Sequence, residues 1–375
     1  MGPISFTEII FWLTLLATVM QLGYWLLVFS RLAYYRETRK RPQPGAELPP
    51  VSIVICVRNE AENLQKNLVY VLEQDYPQFE VIVVDDNSSD KSWGILLDIK
   101  NKYPILQLIQ LKEQTLPGKK VALSRGIEAA RFERLLLTDA DCRPNSKHWL
   151  SIMAGALRGE TEIALGYSPY NLHAGFVNIF IRFEAVYTAI QYFSFALMKK
   201  PYMGVGRNLA YLKSLFRKQQ GFLSHVHIAS GDDDLFINQA ANGRNTAIII
   251  HPDTFVVSEP KRTWRGYYYQ KSRHLTTGSR YKLSHQILLG GLAGSHVMHY
   301  LGVLIMLPTT YAPAVILMFL VRMGVVQWMY SRILKLLQDP SLYRWIPLLD
   351  AAFTCYYLFL SPVLLTTGNL KKWKL

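Results

Sequence analysis

Two groups of carboxylates follow apolar, β-branched runs, where they could hold a metal ion and a charged substrate. Residues 81–84 (VIVV) lead directly into the acidic stretch 85–90 (DDNSSD), and residues 135–138 (LLLT) lead into Asp139-Ala-Asp141. An Asp-X-Asp sequence at a strand end can place oxygens around a hard divalent cation, which takes further ligands from a diphosphate. The alternative for each group is an ordinary Asx turn after a strand. The repetition after two strands favours a site.

A third acidic group, residues 230–235 (SGDDDL), precedes a segment with helical periodicity. Adjacent carboxylates can raise one another's pKa, and such a carboxylate can serve as a general base. The alternative is an acidic N-terminus that stabilises the following helix. Neither Asp85 nor Asp86 begins a calcium loop with the required Gly and Glu, and no GxGxxG or P-loop motif follows a strand.

The elements that must position these groups alternate along the middle of the chain. Apolar runs at 51–57, 81–84, 106–111 and 135–138 are separated by segments of helical character at 61–73, 91–102 and 118–130. Continuous apolar strands alternating with helices predict a mostly parallel sheet covered on both faces, so the predicted class is α/β, doubly wound. In such sheets ligands bind beyond the carboxyl ends of the strands, where both acidic groups are expected.

Long apolar segments lie at the two ends of the chain, at 4–30, 286–307, 311–331 and 345–367. Each is long enough to cross a hydrocarbon core of about 30 Å. The basic residues at 31–41 predict an uncleaved anchor with its N-terminus outside. Four full spans would put the basic C-terminal end outside, against the positive-inside tendency. Either one segment is not a full span, then, or the last one re-enters or lies in the interface; the alternative for any segment is a buried core helix.

The balance of charges supports a membrane location. The 375 residues are 50% hydrophobic and only 18% charged, yet they carry a net charge of +14, which excludes a disordered chain and leaves a membrane protein or a nucleic-acid-binding protein. Positive charge gathers at 31–41, 261–282, 332–344 and the last five residues, each beside an apolar segment. We therefore expect membrane topology and an anionic substrate, and no nucleic acid. Three cysteines without metal spacing indicate a reducing environment.

Residues 261–282 combine seven Lys and Arg with five aromatic residues and no acid. Beside a membrane span they are expected to lie along anionic headgroups. Residues 176–198, rich in Phe and Tyr, allow two interpretations, a second interfacial helix or a core helix.

Four motifs resemble the nucleotide-binding half of family 2 inverting glycosyltransferases with a GT-A fold: VSIVICVRNEAENL (51–64), EVIVVDDNSSD (80–90), GKKVALSRGIEAA (118–130) and LLLTDADCRP (135–144). The resemblance covers about 50–275. The membrane layout is similar to that of ceramide glucosyltransferases and of cellulose, hyaluronan and poly-N-acetylglucosamine synthases.

The resemblance implies a donor site with a divalent cation, Mn²⁺ or Mg²⁺. It places Asp139 near the ribose and diphosphate, and Asp141, with Asp139, on the metal. Either Lys119 or Lys120 would lie close to the nucleotide, unless it is a solvated loop lysine. The residues implied around the uridine are Arg58, Glu60, Asp85 and Asp86.

On the acceptor side the resemblance aligns the catalytic base with Asp232 and leaves Asp233 as the second choice. Gly231 stands where the family has Glu, which is a departure. The remaining implied residues are Gly206, Arg207 and Asn208 of GVGRN, which would line the acceptor side unless they form a simple turn, and Gln270, Arg273 and His274 of QKSRH, which stand at the family's Gln-X-X-Arg-Trp. Arg273 would meet the diphosphate. His274 replaces a Trp that stacks at the polymer channel of polymerising relatives, and this weakens a processive interpretation.

These observations predict an anchor (1–30), a basic linker (31–49), a GT-A domain (50–260), an interfacial segment (261–285), about three C-terminal membrane segments (286–367) and a basic tail (368–375). The expected function is transfer of one sugar from a UDP-sugar to a lipid or lipid-linked acceptor at the cytoplasmic face of a membrane, expected to be the bacterial inner membrane. No obligate protein partner is evident. The alternatives are a processive polysaccharide synthase and a non-catalytic membrane scaffold on a degenerate domain.

Overall fold

The structure, a computed structural model, describes residues 5–38, 48–113 and 118–365. The described part of the chain divides into two compact units: residues 36–277 form one, and residues up to 35 together with residues 278–365 form the other. The division falls within the predicted interfacial segment 261–285. The predicted tail 368–375 and residues 39–47 of the predicted linker lie outside the described residues.

A seven-stranded sheet forms the centre of the 36–277 unit, in the order β3-β2-β1-β4-β7-β6-β8, and β5 pairs with β9 in a separate two-stranded sheet. The strands are β1 (Val51–Val57), β2 (Phe79–Asp86), β3 (Leu106–Leu111), β4 (Arg134–Asp139), β5 (Cys142–Pro144), β6 (Ile163–Gly166), β7 (Leu209–Leu212), β8 (Thr246–Ile249) and β9 (Val256–Ser258). Strands β1 to β4 are parallel, as predicted, whereas β7 runs antiparallel to β4 and β6. The α/β class with a mostly parallel sheet is confirmed.

Helices cover both faces of this sheet. On one face the helix Ala61–Leu72 buries Leu64, Leu68 and Val71 in the core that contains alternate residues of β1. On the other face the helix Lys120–Ala129 lies so close that a Cβ on Gly126 would stand 2.5 Å from Val54 Cγ1. The remaining helices of this unit are Ser92–Lys102, Trp149–Gly155, Phe176–Leu197, Lys213–Lys218, Asp234–Ala240 and Trp264–Leu275.

The helix Phe176–Leu197 belongs to the core of the 36–277 unit. Phe183, Val186 and Ile190 along it are at most 1% exposed. Of the two interpretations that its sequence allowed, the core helix is the one that the structure supports.

The other unit consists of the helices Phe6–Ala33, Leu283–Met306, Ala312–Leu336 and Ile346–Leu365. Among the described residues, the first three are long and apolar enough to cross a membrane. Their outward-facing side chains are apolar, with Leu27 70% exposed, Leu304 64% exposed and Leu317 62% exposed. Apolar side chains that face outward fit a hydrocarbon environment and support membrane association.

The interior of this helical unit is polar. Arg322 is fully buried, and its Nη1 lies 2.5 Å from Asp350 Oδ2. Its Nη2 donates to Gln21 Oε1 at 2.9 Å and lies 3.1 Å from His296 Nδ1. These contacts join all four helices, so an ion pair lies at the centre of the unit.

Candidate active site

The predicted acidic residues lie at one edge of the sheet. Val57, the last residue of β1, is in register with Asp85 of β2, and Cys56 is in register with Asp139 of β4. The three strands therefore end at the same level, with the acidic residues on either side of β1. This is the carboxyl edge at which ligands bind in open α/β sheets.

Hydrogen bonds tie the loops after β1 and β2 together at this edge. Asn59 donates its backbone N–H to Ser88 Oγ at 3.0 Å, and its side-chain oxygen accepts from the Ser89 N–H at 2.8 Å. Asn59 has a φ of 56°, a left-handed conformation that asparagine tolerates. The two loops form one connected wall of the site.

The residues predicted to hold the nucleoside line this wall. Arg58 Nη1 lies 3.8 Å from Asp86 Oδ2, and burial raises the pKa of Asp86 although Arg58 opposes the shift. Burial also raises the pKa of Glu60. Asp85 is fully buried, and its Oδ1 accepts no hydrogen bond in the described part of the chain. A buried carboxylate oxygen of this kind is suited to a donor group from a ligand.

Lys119 lies between the acidic groups. Its Nζ is 2.8 Å from Asp139 Oδ1 and 3.0 Å from Asp232 Oδ2. Burial lowers the pKa of Lys119, but these carboxylates outweigh it and hold the pKa well above its usual value. The three side chains line one cavity together with Cys56 and Gly206. The structure thus brings the Asp-X-Asp group and the third acidic group to the same place.

Asp139 and Asp141 fit a hard divalent cation. One carboxylate oxygen of each residue and the Sγ of Cys142 all lie within 4.8 Å of one another. Burial raises the pKa of Asp141, and the charge of Asp139 raises it further. Burial also holds the pKa of Cys142 well above its usual value, so the thiol stays protonated. Two carboxylates beside a neutral thiol suit Mg²⁺ or Mn²⁺ better than a soft metal.

The third acidic group is divided between two environments. Asp233 caps the helix Asp234–Ala240: its Oδ1 accepts from the Asp234 N–H at 2.8 Å and its Oδ2 accepts from the Gly206 N–H at 2.7 Å. Burial and the neighbouring carboxylates raise the pKa of Asp233 to about 7. Burial would also raise the pKa of Asp232, but the contact with Lys119 outweighs it and lowers that pKa. At neutral pH Asp232 is therefore ionised, whereas Asp233 is protonated in part of the molecules.

The backbone conformation at position 231 favours glycine. Its φ is 97°, and a Cβ at this position would stand 2.5 Å from Leu235 Cδ1. A left-handed conformation without room for a side chain requires glycine. The departure from the Glu of the family pattern therefore has a local conformational cause.

Lys120 holds the loop that leads to Asp232. The side chain is almost completely buried, and its Nζ donates to the carbonyl of Ile228 at 2.5 Å and to the carbonyl of Ser230. Just before it, Gly118 has a φ of 87°, and a Cβ there would stand 2.2 Å from Ala229 O. The prediction offered Lys119 or Lys120 as the nucleotide-side lysine, and in the structure the Lys120 ammonium is directed to the loop instead.

His225 supports the same loop from its other side. Its Nε2 lies 2.8 Å from the carbonyl oxygen of Gly231, so Nε2 carries the hydrogen. Burial lowers the pKa of His225 to about 4, which keeps the ring neutral at pH 7. Sequence reasoning missed this residue because a single histidine in a loop carries no spacing signal.

Asn208, predicted on the acceptor side, is buried within the fold. Its Nδ2 donates to the carbonyls of Tyr167 and Thr254 at 2.8 and 2.7 Å, and its Oδ1 accepts from Trp149 Nε1 at 3.0 Å. These bonds anchor the segment that carries Gly206 and leave Asn208 with a supporting role. Arg207, in contrast, stacks its guanidinium on a Tyr ring at 4.4 Å.

Gln270, Arg273 and His274 lie on the helix Trp264–Leu275. The segment after this helix is joined to the third acidic group, because Thr277 Oγ1 donates to the Asp234 carboxylate. Sequence reasoning missed this contact, since Thr277 and Asp234 are 43 positions apart in the chain.

Comparisons with known proteins agree with this architecture. The Glycosyl transferase family 2 domain matches residues 52–218. Glycosyltransferase AglE of Haloferax volcanii is 38% identical over 114 residues, which are 30% of this chain and 36% of that protein. Beta-monoglucosyldiacylglycerol synthase of Trichormus variabilis is 30% identical over 140 residues, which are 37% of this chain and 29% of that protein.

Two further proteins are similar to this chain, one over a short segment of the sequence and one over most of the fold. Poly-beta-1,6-N-acetyl-D-glucosamine synthase of Staphylococcus epidermidis is 34% identical over 91 residues, which are 24% of this chain and 21% of that protein. The solved structure of the mannosyltransferase PcManGT from Pyrobaculum calidifontis, in complex with GDP-Man and Mn²⁺, has a TM-score of 0.59 at 18% identity and covers 93% of this chain and 99% of that one. The likeness to PcManGT shows a shared fold. The matched segments span about a third or less of the curated relatives' own length.

Proposed function

We propose that this protein, whose residues 52–218 match the Glycosyl transferase family 2 model, transfers one sugar with inversion from a UDP-sugar to a lipid or lipid-linked acceptor at the cytoplasmic face of a membrane. The observation that carries the proposal is the cavity at the carboxyl edge of the sheet, where Lys119, Asp139 and Asp232 meet. It combines groups for an anionic donor with a carboxylate suited to proton transfer.

On the donor side, Arg58, Asp85 and Asp86 would hold the nucleoside, and the bare Oδ1 of Asp85 is suited to a base N–H. Asp139 and Asp141 would hold a divalent cation, which when bound neutralises charge on the departing diphosphate. Lys119 adds a fixed positive charge at the same place.

Asp232 is our proposed base, as the resemblance to the family motif implies. Lys119 keeps it ionised at neutral pH, so it is ready to accept the proton of the acceptor hydroxyl. Asp233 is less suited, because both of its carboxylate oxygens already accept backbone N–H groups. Its pKa of about 7 nevertheless makes it the alternative that an experiment must test.

The lipid acceptor is supported by the apolar helices of the same chain and by the name of the Trichormus relative. The helix Trp264–Leu275 adds exposed aromatic residues, with Trp264 46% exposed and Tyr269 59% exposed. Such side chains beside basic residues favour a membrane interface.

A processive polysaccharide synthase is the second candidate, favoured by the poly-N-acetylglucosamine synthase relatives. His274, which stands in place of the Trp that stacks at the channel of polymerising enzymes, speaks against it.

The test uses the full-length protein in nanodiscs with radiolabelled UDP-sugars, and with GDP-mannose as a second nucleotide class. A labelled glycolipid of one added sugar is the expected product. High-molecular-weight product would identify a processive synthase. The absence of both label and nucleotide release with every donor and acceptor would favour a scaffold.

A further inference from the structure

Arg207 has a fixed position and an unused hydrogen-bond donor. Its Cζ lies 4.4 Å from the centre of the Tyr170 ring, a cation–π contact that orients the guanidinium. Its Nη1 is buried and has no hydrogen-bond partner among the described residues. Because a guanidinium stays protonated in proteins, this buried N–H needs an acceptor.

The backbone places Arg207 next to a residue that contacts the third acidic group. Gly206, the residue before it, donates its N–H to Asp233 Oδ2 at 2.7 Å. A Cβ on Gly206 would stand 3.4 Å from Lys119 Nζ. Arg207 therefore follows directly after a residue that lines the cavity.

Tyr170, the residue under Arg207, is connected through Ser258 to the Asp-X-Asp group. Tyr170 forms an isolated β-bridge with Ser258, and Ser258 Oγ lies 3.5 Å from Asp141 Oδ2. Burial alone would lower the pKa of Arg207, but Tyr170, Cys142 and the two carboxylates of the Asp-X-Asp group outweigh it and raise the pKa. The charge is thus permanent, and the carboxylates that act on it are the two that are proposed to hold the metal.

We propose that Arg207 binds a phosphate group of a substrate. A planar guanidinium matches two phosphate oxygens at once, and a phosphate would supply the acceptor that Nη1 lacks. This inference rests on the proposed function and specifies its substrate chemistry. The phosphate can come from the diphosphate of the donor or from a phosphorylated lipid acceptor, which would make the acceptor an anionic lipid.

The experiment compares Arg207→Lys and Arg207→Ala in the full-length protein in nanodiscs. Arg207→Lys keeps the charge and loses the planar fork. The matched control is Arg143→Lys, because Arg143 also stacks on a tyrosine, Tyr70, at 5.2 Å, yet is exposed. Mn²⁺ affinity and the thermal midpoint show whether each variant keeps a folded site.

The binding probes are UDP and inorganic pyrophosphate for the donor, and phosphatidic acid against diacylglycerol for the acceptor. The two lipids differ only by the phosphate. If Arg207 holds the donor, its variants weaken UDP and pyrophosphate binding on the order of 10- to 100-fold, as the loss of charged hydrogen bonds predicts. If it holds the acceptor, UDP binding stays unchanged, and phosphatidic acid loses affinity by that factor while diacylglycerol does not. Arg143→Lys leaves every value unchanged.

The inference is overturned if folded Arg207 variants bind all four probes as the wild type does. In that case sugar transfer by the wild type would leave the proposed function standing. Conversely, phosphate binding that depends on Arg207 in a protein that transfers no sugar would support the inference and reject the proposed function. A wild type that binds none of the phosphate probes rejects both.

Discussion

At the scale of single residues, the charge of Lys119 contributes to the difference in pKa between two adjacent carboxylates, Asp232 and Asp233. Its ammonium contacts Asp232 directly, so the pKa of Asp232 falls, whereas burial and the neighbouring carboxylates raise the pKa of Asp233 to about 7. Two groups with separated pKa values at one site are typical of acid–base machinery. Which one acts as base has a measurable consequence.

Asp232→Asn is expected to keep UDP-sugar binding and to lower transfer by about 10²- to 10⁴-fold, because a general base contributes on that order. A base must be deprotonated, and the pKa of Asp232 is lowered, so wild-type kcat/KM measured at saturating Mn²⁺ should stay level as the pH falls through 7. The measurement is the initial rate of transfer from a labelled donor over the range from about pH 5 to about pH 8. If kcat/KM falls below about pH 7, and Asp233→Asn is the inactive variant, the base is Asp233.

Asp141→Asn is expected to abolish the Mn²⁺-dependent part of UDP-sugar binding, because an amide is a weaker ligand for a hard cation than a carboxylate. Burial and Asp139 raise the pKa of Asp141, so protons compete with the metal at higher pH than at an ordinary aspartate, and metal affinity should fall as the pH is lowered. Calorimetry with and without Mn²⁺ measures both effects. Asp98→Asn, at an exposed position, is the control. Unchanged metal-dependent binding in Asp141→Asn would reject the metal assignment.

At the scale of elements, the loop before the helix Asp234–Ala240 is supported from two sides, by Lys120 and by His225. This arrangement predicts that Lys120→Met destabilises the loop that presents Asp232. The loss of hydrogen bonds to a charged group should lower the free energy of unfolding by about 2–3 kcal/mol. We expect kcat to fall more than donor affinity does, because Lys120 contacts the loop and not the cavity.

Thermal unfolding and calorimetry with UDP separate these effects of Lys120→Met. The control is Lys66→Met, which removes only an exposed ion pair with Glu62. A loss of UDP affinity as large as the loss of kcat would return Lys120 to the nucleotide side, where the sequence alone also allowed it.

Gly231→Glu would restore the family pattern, yet we expect it to lower activity and stability. The left-handed φ costs a residue with a side chain about 1–2 kcal/mol, and the new Cβ would meet Leu235. Circular dichroism melts and transfer assays measure both. Gly231→Ala, which adds only the Cβ, should show most of the same loss. Activity at or above that of the wild type in Gly231→Glu would contradict the conformational explanation.

Much of the arrangement of strands and helices in the 36–277 unit could be predicted from the sequence. Strands β1 to β4 were predictable because continuous apolar runs alternate with helical segments, and both acidic groups follow from their ends. Strand β7 was not, since it is only four residues long and its antiparallel direction depends on distant pairing with β4 and β6. Nor could the sequence separate Lys119 from Lys120, because the direction of each side chain depends on the loop at 228–230, which folds over them.

At the scale of the whole molecule, the sequence predicted the apolar end segments but not the polar contacts among the helices that they form. In the helical unit the Arg322–Asp350 pair is buried and bonded to Gln21 and His296, so charges lie inside the segments that the composition describes as apolar. Charges inside membrane helices are costly unless they are paired within the bundle. The pair therefore specifies which helix faces meet.

Removing one partner of this pair should be more damaging than removing both. Arg322→Met leaves the Asp350 carboxylate without its cation, and Asp350→Leu leaves the guanidinium without its anion; each is expected to cost about 3–5 kcal/mol. The double variant replaces the pair by apolar groups and should recover part of that loss, because no uncompensated charge remains. Thermal midpoints of the full-length protein in detergent, arranged as a double-mutant cycle, measure the coupling. Leu317→Ala, at an outward-facing position, should change the midpoint little. If the single losses simply add in the double variant, the two charges do not stabilise one another, and the helices are held by packing alone.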